Sequence, residues 1–533
     1  MDETYDVVVV GGGAAGLSGA LALARARRSV LVVDEGRPRN APAGHVHNYL
    51  GREGTPPAEL AAAGRDEVTR YGGQIVSGRA ETAAKAGDGF LVTLDDARHV
   101  RARRLLVTTG LVDELPDVPG LAERWGRDVL HCPYCHGWEV RDRRIGVLAT
   151  GPLAWHQAEM WRQWSPDVLV LLHHAPPPDA ERAERLAARG IVVVDGPVAG
   201  VDTDGDTLTG VRLASGEVVA LDAVVVASRL SARADVLESL GLKTVEVEIG
   251  GHVVGTRVPA DPTGATAVPG VWVAGNVADV QAQVIASATA GLTAGAAINA
   301  DLVAEDTRDA VEAYRDQART MFERDAWEER YRARPALWSG RPNPQLVAEA
   351  AELTPGRALD VGCGEGADAI WLAERGWRVT AADISTTALE RAAAHAAAGA
   401  GIADRITWTH ADLRDQPPAE GAYDLVSAQF MHLPGDARRD LYARLAAAVA
   451  PGGILLIVGH HPSDLWTTAR RGVFPDAMFT GEEIAAELDP TAWQVLAAES
   501  RPRPVTDPQG RPITVHDAVL VARRSLGTQA PVA

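Results

Sequence analysis

Lysine is almost absent from this 533-residue sequence: Lys85 and Lys243 are the only two, and arginine supplies nearly all of the positive charge. The formal net charge is -19, and no run of basic residues occurs. Because nucleic acids and anionic membranes are bound largely through clustered cations, we expect neither as a partner. No apolar run reaches the roughly 18 residues that a membrane-spanning helix needs, and the sequence starts without the basic and apolar regions of a signal peptide. The sequence therefore predicts a cytoplasmic protein.

Cysteine is also scarce, with three residues in the chain, and two of them lie in one short segment, HCPYCHGWE (131–139). A Cys-x-x-Cys pair can provide half of a zinc site, a structural disulfide or a redox dithiol. Zinc would need two further ligands, and structural disulfides are rare in reducing compartments. The local sequence does not choose among the three. Cys132 and Cys135 are the candidate catalytic residues if the pair is a redox dithiol.

The N-terminal segment DVVVVGGGAAGLSGALALARARRSVLVVDEG (6–36) predicts a strand, a glycine turn, an alanine-rich helix and a second strand ending at Asp34. Gly11 permits the tight turn, Gly13 lets a pyrophosphate approach the backbone, and Gly16 lets the helix pack on the strand. The helix N-terminus offers free N–H groups to phosphate. Asp34 follows at a distance suited to accepting hydrogen bonds from ribose hydroxyls. The segment therefore predicts a dinucleotide site.

Two later segments, LLVTTG (105–110) and GVWVAGNVADVQAQVIASATAGLTAGAAINADL (270–302), each predict a strand followed by a glycine turn. Around an inserted middle section, the three segments resemble the split FAD domain of the low-molecular-weight thioredoxin-reductase family. The resemblance implies FAD as cofactor, although Asn276 stands where that family usually has an aspartate for the flavin ribityl. An amide still hydrogen-bonds a hydroxyl. The implied FAD-binding residues are Gly11, Gly13, Ala14, Ala15, Gly16, Asp34, Asn40, Thr109, Gly110, Gly275, Asn276, Gln283 and Val284.

The segment HCPYCHGWE falls where that family carries its redox pair, so with a flavin implied we interpret the pair as a redox dithiol. One thiolate attacks a substrate sulfur or the flavin, and the other resolves the mixed species. The resemblance implies that the residue after the second cysteine is the proton donor, which is aspartate in the reductases and His136 here. A histidine titrates near neutrality and can accept a proton from an incoming dithiol. The alternative for His136 is a merely solvated or packed side chain.

The middle section, residues 119–245, corresponds to the NADPH domain of that family, but RRIGVLATGPLAWHQAEMWRQW departs from its glycine fingerprint. Ala149 replaces the first glycine, and Pro152 crowds the position of the pyrophosphate. Where the reductases carry arginines for the 2′-phosphate, this chain has His173 and His174. We therefore expect weak NADPH binding. The pattern resembles the flavin-dependent dithiol oxidases of natural-product pathways, which reoxidise reduced flavin with oxygen.

The C-terminal third contains a second glycine loop, DVGCGEG (360–366), followed by a predicted helix and a strand ending at Asp383. With HADL (410–413) and YDLV (423–426), it resembles class I S-adenosylmethionine methyltransferases. That resemblance implies contacts of the first loop with the methionine portion, of Asp383 with the ribose and of Asp412 with the adenine amine. The implied cofactor-binding residues are Trp338, Asp360, Gly362, Gly364, Asp383, Ile384, Asp412 and Leu413.

Two further features of this third concern the methyl acceptor. WEERYRARPALWSGRPNP (327–344) resembles the lid of the thiopurine and tellurite-resistance branch, whose substrates are small soft nucleophiles. His432, His460 and His461 are candidates for lining the acceptor pocket, and each is as compatible with a structural role.

The length exceeds what one hydrophobic core can serve, so several domains are expected. We predict an α/β protein in which a split FAD-binding Rossmann-like domain holds an inserted NAD(P)-binding-like domain, followed by a seven-stranded Rossmann-like class I methyltransferase domain. The expected boundaries are 1–118 with 246–303 for FAD, 119–245 for the insert with the CPYC pair, 304–325 for a helical connector, 326–525 for the methyltransferase and 526–533 for a disordered tail.

The expected function is that of a bifunctional enzyme: an FAD-dependent thiol/disulfide oxidoreductase, with oxygen as oxidant, fused to a methyltransferase acting on a small-molecule thiol. We expect a thiol or dithiol substrate, no metal and a homodimer. One alternative is an NADPH-dependent thioredoxin-like reductase fused to a methyltransferase with an unrelated substrate. Another alternative makes one half a non-catalytic binding module.

Overall fold

The computed structural model describes residues 3–399, 401–469 and 474–526, and the chain divides into two compact units, Met1–Asp306 and Thr307–Ala533. Both units are α/β, with parallel strands at the centre of their main sheets. The predicted α/β class is therefore confirmed. The tail predicted for residues 526–533 lies, from residue 527 onward, outside the described residues. No helix within the described ranges is long and apolar enough to cross a membrane.

The strands of the first unit are β1 (Glu3–Val10), β2 (Val30–Asp34), β3 (Gln74–Ser77), β4 (Ala80–Ala86), β5 (Gly89–Leu94), β6 (His99–Val107), β7 (Leu111–Glu114), β8 (Val129–Leu130), β9 (Ile145–Leu148), β10 (Val168–Leu171), β11 (Val192–Val194), β12 (Val198–Asp204), β13 (Thr207–Leu213), β14 (Val218–Ala220), β15 (Ala223–Val226), β16 (Arg229–Ala232), β17 (Val245–Ile249), β18 (His252–Arg257) and β19 (Val271–Val273). Its helices are α1 (Ala14–Arg25), α2 (Pro57–Arg70), α3 (Pro133–His136), α4 (Leu153–Trp161), α5 (Ala180–Ala188) and α6 (Asp235–Glu238). Helix α7 (Val284–Met321) begins in this unit and continues into the second.

The main sheet of the first unit has the order β3-β2-β1-β6-β5-β4, with β19 also paired to β6. Strand β1 is parallel to both β2 and β6. Val7 and Val9 pack into one apolar cluster, and Val8 and Val10 pack into another on the opposite face. Because successive side chains of a strand point to opposite faces, this sheet is covered on both sides. The turns after β1, β6 and β19 therefore meet at one edge.

The inserted section forms a second parallel sheet with the order β11-β10-β9-β15-β8. A three-stranded sheet, β12-β13-β14, and a four-stranded sheet, β17-β18-β16-β7, complete the unit. Strand β8 ends just before the cysteine segment, and β9 leads into the altered fingerprint.

The middle of α7 is fixed to strand β6 by ion pairs. Arg103 contacts Glu305 and Asp306 at 2.6 Å each. The neighbouring Arg104 contacts Asp301 at 2.6 Å and also Glu305. These contacts hold the helix that follows the Gly275 turn against the sheet.

The strands of the second unit are β20 (Arg357–Val361), β21 (Arg378–Asp383), β22 (Ile406–His410), β23 (Tyr423–Gln429), β24 (Val449–His460), β25 (Trp493–Thr506) and β26 (Pro512–Arg524). Its helices are α8 (Arg324–Arg332), α9 (Pro344–Ala350), α10 (Ala367–Glu374), α11 (Thr386–Ala397), α12 (Gly435–Ala448) and α13 (Gly481–Ala486). They build one seven-stranded sheet with the order β22-β21-β20-β23-β24-β26-β25, in which β26 is antiparallel to both neighbours. The predicted seven-stranded methyltransferase-type sheet is confirmed.

The order of this second sheet reverses at β20, which pairs with β21 on one side and β23 on the other. Ligands of open α/β sheets bind outside the carboxyl ends of the strands at such a reversal. The loop DVGCGEG begins at the end of β20 and therefore lies at this crevice.

Two candidate active sites

The glycine turn after β1 is close-packed in a way that excludes side chains at two positions. A Cβ on Gly16 would lie 1.9 Å from the carbonyl oxygen of Gly11, so helix α1 can pack on the turn only through glycine. Gly11 itself has φ +104°, and a Cβ there would lie 2.6 Å from the carbonyl oxygen of Thr108. Gly13, in contrast, has nothing within 4 Å of its Cβ position. The turn leaves open space at the N-terminus of a twelve-residue helix, which fits a phosphate group.

A single cavity of about 1450 Å³ runs past this turn. Its volume is ample for a dinucleotide, since ordinary ligand pockets occupy roughly 300–1,000 Å³. Gly16 packs directly against the turn at Gly11. The other predicted FAD-binding residues and the redox residues line the cavity together: Gly11, Gly13, Ala14, Ala15, Asp34, Asn40, Thr109, Gly110, Gly275, Asn276, Gln283, Val284, Cys132, Cys135 and His136. The residues present therefore fit FAD, with the cysteine pair at the same cavity.

Asp34 at the end of β2 is already hydrogen-bonded within the protein. Its Oδ1 accepts from the backbone N–H of Gly12 at 3.1 Å, and its Oδ2 contacts the Arg65 guanidinium. The carboxylate is thus oriented toward the glycine turn, with lone pairs left for a ribose hydroxyl.

Asn276, at the position where the thioredoxin-reductase family usually has aspartate, uses its amide as a donor. Its Nδ2 donates to the carbonyl oxygens of Asp279 at 3.0 Å and Ala282 at 2.9 Å, which closes the turn before α7. Its Oδ1 lies 3.4 Å from Nη1 of Arg39. A carboxylate could not donate to the two carbonyls, so this turn is closed by an amide and not by an acid.

The cysteine pair occupies the start of the short helix α3. The carbonyl oxygen of Cys132 accepts from the backbone N–H groups of Cys135 at 3.1 Å and His136 at 3.2 Å. The hydrogen bond from the Cys135 thiol lowers the pKa of Cys132 to about 7, against the opposing effect of burial. The same bond, together with burial, raises the pKa of Cys135. Cys132 is therefore the thiol that ionises first, and it does so near neutral pH.

His136 directly follows this pair and is partly buried. Burial lowers the pKa of His136; Glu139 acts in the opposite direction and His47 in the same direction. The imidazole is therefore neutral at pH 7 and able to accept a proton. His47 is held between Glu53, at 2.6 Å, and Glu139, at 3.4 Å.

The altered fingerprint of the inserted sheet lies between β9 and α4, and Pro152 directly precedes the helix. His173, in the place of a phosphate-binding arginine, has φ +54°, and its Nδ1 accepts from the backbone N–H of Val198 at 3.0 Å. Burial and the adjacent His174 lower the pKa of His173. A neutral imidazole that is bonded to the backbone is a poor partner for a 2′-phosphate.

In the second unit, the glycine loop is tied to the end of β21 by Asp383. The buried carboxylate accepts hydrogen bonds from the backbone N–H groups of Gly364 and Ser385, each at 2.9 Å. Gly362 and Gly364 have φ +66° and +53°, a region that side chains rarely adopt. The acid is thus fixed at the carboxyl edge of the sheet, where a ribose would be recognised.

Asp360 at the end of β20 is only 2 % exposed, and its Oδ2 has no hydrogen-bond partner among the described residues. Burial, with contributions from Asp368 and Asp383, raises the pKa of Asp360 well above its usual value. A buried carboxyl oxygen without a donor is costly unless a ligand supplies one. The ammonium group of S-adenosylmethionine is such a donor, so the residues fit this cofactor.

The segment resembling a lid lies on the glycine loop. A Cβ on Gly364 would come within 3.0 Å of the Tyr331 hydroxyl and 3.1 Å of Trp338 Nε1, which are themselves hydrogen-bonded at 3.0 Å. The Glu365 carboxylate accepts from the backbone N–H groups of Leu337 and Trp338, both at 3.1 Å. The predicted residue Trp338 is therefore placed beside the loop that would hold the methyl donor.

Asp412, the residue predicted for the adenine, and Leu413 follow β22, whereas Ile384 follows β21. The Asp412 carboxylate is engaged by Arg414, whose Nη2 lies 2.7 Å from Oδ2, so an adenine amine would share this acceptor with a guanidinium. Leu413 packs against the core. The carbonyl oxygen of Ile384 lies 3.0 Å from His410 Nε2.

Two of the three candidate acceptor histidines meet at the carboxyl ends of β23 and β24. The rings of His432 and His460 are stacked, with centroids 4.4 Å apart, and Phe430 lies 4.8 Å from His460. Met431, between two of these residues, would lie 2.4 Å from a Cβ on Gly362. His461 instead contacts Ser463 at 2.9 Å. The structure therefore brings His432 and His460, but not His461, into one aromatic group.

Arg39 and Asp113 line the flavin cavity, Arg65 contacts Asp34, and Glu365 accepts from the backbone N–H of Trp338. None of these four residues belongs to a predicted set. Glu365 and Arg39 each adjoin a predicted residue in the sequence, which was the available signal. Among the described residues, no group of three or more His, Cys, Asp or Glu is arranged to hold a metal ion.

Residues 5–295 match the family model of pyridine nucleotide-disulphide oxidoreductases, and residues 358–453 match a methyltransferase domain. The first match covers more than half of the chain. The chain belongs to the pyridine nucleotide-disulphide oxidoreductase family. It is an enzyme in which a thioredoxin-reductase-like FAD oxidoreductase is fused to a methyltransferase.

Two curated proteins are similar in sequence to the oxidoreductase part of the chain. Thioredoxin reductase sirT of Leptosphaeria maculans is 30% identical over 319 residues, 57% of this chain and 95% of that protein. Thioredoxin reductase tcpT of Claviceps purpurea is 43% identical over 152 residues, 28% of this chain and 47% of that protein. The alignment with tcpT therefore spans about half of that relative.

Two solved structures are similar to the oxidoreductase part. HlmI is 43% identical with a TM-score of 0.55, over 59% of this chain and 97% of that chain. An oxidoreductase from Agrobacterium tumefaciens is 36% identical with a TM-score of 0.53, over 57% of this chain and 99% of that chain.

Proposed function

We propose that the first unit oxidises a small-molecule dithiol to its disulfide through Cys132 and Cys135, and that the second unit transfers a methyl group from S-adenosylmethionine to a small-molecule thiol. The observation that carries the oxidase proposal is the neutral, partly buried His136 directly after the cysteine pair, at the cavity that fits FAD. A neutral imidazole accepts a proton, which is what an incoming dithiol must lose.

The substrate dithiol is oxidised by two thiol–disulfide exchanges at the cysteine pair. A substrate thiolate attacks one sulfur of the oxidised pair and displaces the other as a thiolate; the second substrate thiol then attacks the mixed disulfide and releases the enzyme dithiol. His136 accepts a proton from a substrate thiol. Bound FAD supplies the route by which two electrons leave the enzyme dithiol and reach oxygen, which departs as hydrogen peroxide.

Oxygen is proposed as the oxidant because the inserted sheet retains its fold but offers little to NADPH. Pro152 occupies the turn where a pyrophosphate would approach, and His173 is neutral and bonded to the backbone of Val198. These features weaken the nicotinamide site without removing the domain.

The oxidase proposal is tested by incubating the protein with a small dithiol in air and measuring oxygen consumption, hydrogen peroxide and substrate disulfide. We expect the three in equal amounts. The Cys135→Ser variant, with its flavin retained, is the control and should form none of them. Substrate disulfide formed equally by this variant would rule out the cysteine pair as the relay.

The methyltransferase proposal rests on the loop around Asp360 and Asp383 and on the lid segment with Trp338. A thiol acceptor is proposed because that lid resembles those of enzymes acting on small soft nucleophiles, and because a thiolate forms near neutral pH. Thiol, phenol and amine acceptors are compared with labelled S-adenosylmethionine. We expect methylation of thiols to dominate, and preferential methylation of oxygen or nitrogen would overturn this part.

A second candidate function is an NADPH-dependent disulfide reductase. It is favoured by the retained five-stranded parallel sheet and by the naming of sirT and tcpT as thioredoxin reductases. This candidate predicts that NADPH reduces the bound flavin rapidly, whereas the oxidase proposal predicts slow reduction.

A further inference from the structure

Arg39 is fixed in the flavin cavity by a buried acid. Its Nε and Nη2 atoms each lie 2.7 Å from a different oxygen of Asp113, in a two-pronged pairing. The side chain of Asp113 is 6 % exposed and also accepts from the Ser228 hydroxyl at 3.0 Å. A bidentate guanidinium–carboxylate pair sets direction as well as distance. Arg39 is thus a positioned cation.

The Arg39–Asp113 pair and the two thiols, Cys132 and Cys135, share one cavity. The charge of Arg39 favours the ionised form of both thiols. The charge of Asp113 acts on His131, where it opposes that of Arg39. At this cavity the guanidinium acts on the redox pair in the direction that favours the thiolate.

Asn276 is a second side chain in contact with Arg39. Its Oδ1 faces Nη1 of Arg39 at 3.4 Å. An aspartate here, as in the thioredoxin reductases that the chain resembles, would place a second carboxylate on Arg39 and compensate its charge fully. The neutral amide leaves part of that charge for the thiols.

We propose that Arg39 is a positioning residue that stabilises the Cys132 thiolate. Asp113 anchors the Arg39 side chain, and the neutral amide of Asn276 adds no second carboxylate to compensate its charge. This inference rests on the proposed function, in which Cys132 belongs to the reacting pair. The other charged or titratable groups around the thiol are Cys135, which donates to it, and His131, which is neutral because burial and Arg39 lower its pKa.

The test measures the thiolate directly and needs no turnover. The reduced protein is alkylated with iodoacetamide across a pH range, and the modification of Cys132 is followed by peptide mass spectrometry. We expect an inflection near the pKa of about 7 in the wild type. In Arg39→Gln it should move up by about half to one pH unit, as for loss of a nearby, partly exposed opposite charge, so that alkylation at pH 6 slows about three- to tenfold.

Three variants separate charge from structure. Arg39→Lys keeps the charge but not the two-pronged pairing with Asp113. Its inflection should lie between those of the wild type and Arg39→Gln. Arg37→Gln removes the same charge from the same loop, at a side chain that is 75 % exposed and paired with Glu35, and should leave the inflection unchanged. Asn276→Asp should shift it upward as Arg39→Gln does.

An inflection in folded Arg39→Gln equal to that of the wild type would overturn the inference. If Arg39→Gln does not fold, an unshifted inflection in Asn276→Asp overturns it instead. The proposed function fails separately: a wild-type protein that shows the Arg39-dependent inflection but does not oxidise dithiols would contradict the oxidase proposal alone.

Discussion

Replacing Asp383 with alanine should weaken binding of S-adenosylmethionine by at least about tenfold. Each oxygen of the buried carboxylate accepts one backbone hydrogen bond at 2.9 Å, from Gly364 or from Ser385. Each oxygen therefore has a lone pair left for a ribose hydroxyl. Charge-assisted hydrogen bonds contribute roughly 1.5–3 kcal/mol each, and about 1.4 kcal/mol corresponds to a factor of ten in affinity. The loss of one such bond is enough for the predicted effect.

Alanine also removes the acceptor of two backbone N–H groups in a buried loop. Leaving a buried donor unsatisfied costs about 1–3 kcal/mol, and less where water can enter the space. Asp383→Asn keeps the shape and one acceptor oxygen but places an amide NH₂ against one of the two backbone donors. We therefore expect asparagine to retain more stability than alanine while still losing affinity.

The assay is isothermal titration of the full chain with S-adenosylmethionine, accompanied by thermal unfolding of each variant. Asp440→Ala is the matched control, because it removes the same charge from an exposed position on α12 and should leave both quantities unchanged. Flavin content should be equal in all variants, since Asp383 lies in the second unit. Unchanged affinity in folded Asp383→Ala would refute the assignment of this acid to the ribose.

Three further predictions concern other parts of the chain. Cys132→Ser and Cys135→Ser should each abolish dithiol oxidation in the oxygen assay while the rate of methyl transfer is retained; equal loss of both activities would show one shared catalytic centre. Gly16→Val should give a colourless protein by flavin absorbance, because its Cβ would lie 1.9 Å from the Gly11 carbonyl. Although burial raises the pKa of Glu328, hydrogen bonds from hydroxyl groups at the start of α11 hold it at about 2. Since this pKa is lowered on folding, the loss of unfolding free energy in Glu328→Gln should have its full size at pH 7. The difference from wild type should shrink as pH falls from about 4.5 toward 2. A pH-independent difference in urea unfolding would contradict this.

Much of the fold was predictable because its signals are local. The turn around Gly11, the acid at Asp34 and the loop from Asp360 to Gly364 each sit within a short strand–turn–helix segment. A parallel strand followed by a glycine turn constrains the position of its own carboxyl end, whatever the rest of the chain does. The α/β class and the seven-stranded second sheet follow from the order of such segments.

The contacts that tune the sites were not predictable because they join distant parts of the chain. Arg39 meets Asp113 across 74 positions, and Arg65 meets Asp34 across 31. No periodicity or motif marks such pairs in a sequence that has many arginines. The neutrality of His136 is a further example, since it depends on burial in the folded state.

Under the proposed function a dithiol, and not NADPH, delivers electrons to the flavin. The direct test is anaerobic stopped-flow absorbance of the flavin after mixing with either donor, followed by admission of oxygen. We expect a small dithiol to bleach the flavin and oxygen to restore its colour. NADPH should act slowly or not at all because of Pro152 and the neutral His173. Rapid bleaching by micromolar NADPH, with none by the dithiol, would contradict the claim.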